Sequence, residues 1–113
     1  MKVLKDPDQV LQIMNRKLDE LHKKFDEADG EEASEISGQE VAIIVIAGHI
    51  RHAIEDHGYF GVEDMACVYE YVDDAKEKDH EYRNPRDTWF MKGCAEGAAW
   101  ALKEIEKRIE EEP

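Results

Sequence analysis

The chain has 113 residues, 42% of them hydrophobic and 38% charged, and carries a formal net charge of −13. That length holds one domain with one modest core, and a charged share this high leans helical. Two cysteines, Cys67 and Cys94, are too few for a disulfide scaffold and fit a reducing cytoplasm.

The first residues alternate apolar and charged side chains, with Lys5, Asp6 and Asp8 interrupting any apolar run, so neither a signal peptide nor a secreted setting is expected. Asp6-Pro7-Asp8-Gln9 then supplies a capping residue, a proline for the first helical position and a glutamine three after the cap. Leu11, Met14, Leu18, Leu21 and Phe25 follow at heptad intervals, widened by Val10 and Ile13. The spacing predicts a helix over about 7–28, stopped by Asp29-Gly30. Its basic pairs, Arg16-Lys17 and Lys23-Lys24, are offset by Asp19, Glu20, Asp26 and Glu27. No phosphate-binding patch results, and direct nucleic-acid binding is not expected.

Residues 29–37 read as an acidic loop. Ser37 and Glu40, three apart, form a second capping box ahead of the run Val41 to Ala47. That run is far short of the roughly 20 residues of a membrane span. Its β-branched content suits a strand, but the capping box, the continuation to His57 and the stop at Gly58 favour a helix over about 38–57. Apolar on nearly every side, this helix belongs in the middle of a bundle.

Gly58-Tyr59-Phe60-Gly61 reads as a tight connection whose aromatics fold back on the core. A third helix is expected over about 62–81, with Met65, Val68, Val72 and Ala75 inward. Arg83-Asn84-Pro85 ends it and opens a fourth, over about 85–111. Gly93, Gly97 and Ala101 fall at intervals of four there and leave a groove in which another helix can approach closely. The whole predicts an all-α, single-domain four-helix bundle, up-down-up-down. The Leu11–Phe25 seam and the small-residue groove are its two candidate homodimer surfaces.

Chemistry-bearing patterns are few. His49, His52 and His57 share the second helix with Glu55 and Asp56, so His49, His52 and Asp56 are candidate metal ligands. The plainer reading is an apolar helix turning polar as it leaves the core, its histidines near the negative C-terminal end. No metal or other cofactor is expected. Neither cysteine has an adjacent histidine, and no phosphate-cradling glycine loop is present, so no catalytic residue is assigned. Glu31-Glu32-Ala33-Ser34-Glu35 and Glu70-Tyr71-Val72-Asp73 together resemble the signature of the MazG-like all-α nucleotide pyrophosphatases. The resemblance implies magnesium held by Glu31, Glu32, Glu35, Glu70 and Asp73, and a metal-dependent nucleotide hydrolase as an alternative function.

Charge distribution carries the leading expectation. Residues 29–40 contribute −5 and residues 61–82 contribute −6, so eleven of the thirteen excess charges lie in two stretches. On the third helix Glu63, Glu70, Asp74, Glu77 and Glu81 recur at helical spacing, and Asp73 broadens the stripe. Asp74 stands about 200° around from Val72, so the stripe faces away from the core. Its carboxylates lie roughly 6 Å apart, comparable to the phosphate spacing of one nucleic-acid strand. A solvated face that keeps a small protein soluble would show the same pattern. The functional expectation is a non-catalytic cytoplasmic protein that binds a basic protein surface, such as that of a nucleic-acid-binding protein, in the manner of small DNA-mimicking phage inhibitors. Glu31, Glu32 and Glu35 are expected to add to that face. A structural homodimer is the third reading.

Overall fold

In the computed structural model, which describes residues 2–79 and 85–111, the first helix, α1, spans Pro7–Glu27. The Asp6 carboxylate accepts the Gln9 amide at 3.2 Å, and Pro7 sits in the first turn, where no amide donor is needed. Val10, Met14 and Leu21 are buried, Leu11 and Leu18 pack against the core, and Phe25 is 40% exposed. The heptad seam therefore covers the chain's own core, leaving only its Phe25 end open.

The second helix, α2, spans Gly30–His57, so the acidic stretch 29–37 is helix and not loop. Two things overrule its loop-like composition. Ile36 and Gly38 are buried, supplying an inward side that the charges conceal. Glu31 and Glu32 fall in the first turn, where carboxylates meet the positive end of the helix dipole. The Ser37–Glu40 pair lies well inside α2 and caps nothing.

The third helix, α3, spans Val62–Asp79, and the fourth, α4, spans Pro85–Glu106. The end of α3 expected at Glu81, and the Arg83-Asn84 junction, lie outside the described residues. Instead of running on to Glu111, α4 stops at Glu106. Arg108 donates to the Glu104 carbonyl at 2.8 Å and to its carboxylate at 3.0 Å, satisfying a last-turn acceptor.

Two short strands were not expected. Lys2–Leu4 (β1) pairs antiparallel with Ile109–Glu111 (β2), with Leu4 opposite Ile109. Val3 also bridges Gly61, and the Leu4 amide donates to the Phe60 carbonyl at 2.8 Å. The start of α1, the end of α2, the start of α3 and the end of α4 thus meet at one end. That arrangement makes the protein an up-down-up-down, all-α four-helix bundle.

The tightest packing is between α2 and α4. A Cβ on Gly97 would fall 2.6 Å from the Gln39 carbonyl oxygen, and one on Gly38 would fall 2.8 Å from the Cys94 nitrogen. One on Gly93 would run into the Glu35 carbonyl. The small-residue groove is therefore filled by α2 of the same chain, which removes it as a dimer surface. Ile43, Ile46, Ile50, Phe60, Val68, Val72, Ala98, Ala101 and Ile105 continue the core. The expectation that α2, apolar on nearly every side, sits in the middle of the bundle needs correction on one side, because Val41 is 41% and Ile44 54% exposed.

Candidate functional site

The α3 helix is launched from a fixed turn. The Gly61 amide donates to Asp64 Oδ2 at 2.9 Å, and Asp64 Oδ1 lies 3.3 Å from His57 Nε2. The His57 ring stacks at a tilt on Tyr59, centroids 4.3 Å apart. Phe60 turns inward and is fully buried, whereas Tyr59 stays 41% exposed. From this turn Met65, Val68, Val72 and Ala75 all enter the core, the inward stripe that the spacing predicted.

The opposite side carries the carboxylates. Glu63, Glu70, Asp73, Asp74 and Glu77 are all exposed; Glu81 lies outside the described residues. Glu70, Asp73, Asp74 and Glu77 line one shallow open cleft together with Ala66 and Tyr69. Lys78 pairs with Asp74 at 3.1 Å, one turn on. Both side chains are about half exposed, and such a pair is worth under about 1 kcal/mol. Tyr69 borders the stripe and donates to Glu106 Oε2 at 3.3 Å. Its phenol is held above its ordinary range, first by burial and then by the charge and hydrogen bond of Glu106.

Glu31, Glu32 and Glu35 do not extend this face in one piece. Glu31 and Glu32 are exposed on the first turn of α2, while Glu35 is half-buried against α4, with Lys92 Nζ at 3.8 Å. There it meets Glu96, which also accepts from Gln39 Nε2 at 3.1 Å. The Glu96 carboxyl is held above the usual carboxylate range by burial first and then by Glu35; Lys92 and Gln39 pull it the other way. Sequence spacing gave no hint of this cluster, because it depends on the register between α2 and α4.

A carboxyl whose folded-state pKa is raised opposes folding at neutral pH, and that opposition fades as the pH falls through the raised value to the ordinary one. Glu96→Gln is therefore expected to raise the melting temperature at neutral pH. The gain should disappear below the ordinary carboxylate range. Thermal denaturation of both proteins across pH checks this, and a pH-independent difference would contradict it.

Among the described residues no three histidine, cysteine, aspartate or glutamate side chains come together in a set that could hold a metal ion. His49 is half-buried, while His52 and Asp56 are exposed. The two acidic patterns shared with the MazG-like signature are both helical, but Glu35 is engaged with α4 while Glu70 and Asp73 stand exposed on α3. Cys94 is buried, and burial pushes its thiol up; Cys67 is exposed. No helix among the described residues is long and apolar enough to cross a membrane. Neither a protein-family model, nor a curated protein, nor a solved structure matches the chain.

Proposed function

We propose that this protein works without catalysis, in the cytoplasm, by binding a basic surface of a macromolecular partner through the outward face of α3. The observation that carries the reading is the exposure of Glu63, Glu70, Asp73, Asp74 and Glu77 on the side of α3 away from its buried stripe. A rigid helix presents these charges at nearly fixed spacing, so a groove built for phosphates meets carboxylates at similar intervals. The partner class that fits is a nucleic-acid-binding protein, and the action on it is inhibitory or accessory. Association of this kind is fast and weakens steeply with salt.

The test reverses Glu70, Asp74 and Glu77 together to lysine. Because all three are exposed, helicity should stay unchanged while capture of the partner from a host lysate at low salt is lost. High salt should release the same partner from the unaltered protein. Undiminished capture by a fully helical triple variant would overturn the proposal.

A further inference from the structure

The uncovered side of α2 holds a glycine for which the fold has no use. Gly38, Gly93 and Gly97 each lie where a neighbouring backbone occupies the space of a side chain. Gly48 is different: it is exposed, in mid-helix, and a Cβ placed on it would meet nothing within 4 Å. A glycine costs a helix about 1 kcal/mol against alanine, and here no contact within the chain offsets it. Val41, Ile44 and Gly48 follow at intervals of three and four, so they form one outward stripe. Ile44 is 54% and Val41 41% exposed. In a chain with net charge −13, residues 41–50 contain no charged side chain apart from the ionisable His49.

From these features we infer that α2 packs against α2 of a second copy of this chain, antiparallel, about a two-fold axis passing near residues 45 and 46. The stripe is self-complementary: Ile44 of each copy enters the open space beside Gly48 of the other. The charges bounding the uncharged run complement themselves in the same way. Glu40 and Arg51 are eleven residues apart, about three turns, and so lie on one side of the helix. Reversing one helix against its copy brings Glu40 of each level with Arg51 of the other.

Arg51 is open to such a pair, and Glu40, partly exposed, joins it by turning its carboxylate outward. Arg51 is exposed and makes no ion pair among the described residues. Glu40 Oε1 is shielded from solvent and accepts no hydrogen bond in the chain. The pairing leaves α3 and its carboxylates outside the contact, so the inference stands apart from the proposed partner binding. The dimer would carry two acidic faces.

Sedimentation velocity of the full chain over a concentration series tests it. An interface built from one helix pair is small, and a dissociation constant on the order of tens of micromolar is expected. Gly48→Gln should raise the melting temperature of the monomer, because the new side chain has open space and better helix propensity. It should also weaken association at least tenfold by filling the space Ile44 needs. Ile44→Glu should abolish association with helicity intact. Arg51→Glu should weaken it, and Glu40→Lys added to Arg51→Glu should restore it. A chain that remains monomeric at about 1 mM overturns the inference, and so does a dimer that Ile44→Glu and Gly48→Gln leave unchanged.

Discussion

Gly93→Ala is expected to lower stability by about 3 kcal/mol, at the upper end of what overpacking a well-filled core costs. The added methyl would collide with the Glu35 carbonyl, and Glu35 C and Cα stand at only 2.8 and 3.0 Å from the same point. These are backbone atoms in the middle of a helix turn, so no side-chain rotation relieves the clash. Relief requires α2 and α4 to separate, and separation loosens the contacts at Gly38 and Gly97 as well. For a domain of this size the loss corresponds to a fall in melting temperature of roughly 10 °C or more. Gly48→Ala is the matching control: the same change, also in mid-helix, meets open space and should add up to about 1 kcal/mol. Thermal denaturation of both variants reads the contrast. A Gly93→Ala protein as stable as the parent would mean that the two helices do not approach this closely.

The contrast also shows what sequence can and cannot reveal here. Glycines four apart on a predicted helix announced a close approach, and the approach is there. They did not say whose helix arrives, which depends on residues 30–37 being helical. That segment was hidden because the acidic side chains dominate its composition and only Ala33 and Ile36 mark its inward side. The terminal strands were hidden for another reason. Three residues each, they exist because Val3 and Leu4 can be buried where Gly61 and Ile109 converge. On α3 Met65, Val68, Val72 and Ala75 keep an unbroken helical period and the carboxylates follow it on the other side, with one turn skipped between Glu63 and Glu70, so the acidic stripe is legible in the sequence. Composition alone groups Glu31, Glu32 and Glu35 with it; packing against α4 takes Glu35 elsewhere.

Phe60→Ala is expected to cost about 3–5 kcal/mol, the range for removing a fully buried aromatic side chain. Phe60 is 0% exposed, and its backbone joins three elements at the closed end of the bundle. Its carbonyl accepts the Leu4 amide at 2.8 Å, and the next carbonyl, of Gly61, accepts the Met65 amide at 2.9 Å. Emptying the pocket therefore removes the packing that seats β1 and that sets the direction in which α3 leaves the turn. Phe60→Leu keeps most of the volume and should cost less than about 1.5 kcal/mol. The two variants separate burial from the backbone hydrogen bonds, which both retain. Well below its melting temperature Phe60→Ala should still present the α3 carboxylates and still capture the proposed partner, because those carboxylates are exposed whereas Phe60 lies in the core. Loss of capture by folded protein would mean that the direction of α3, and not only its charge, determines recognition.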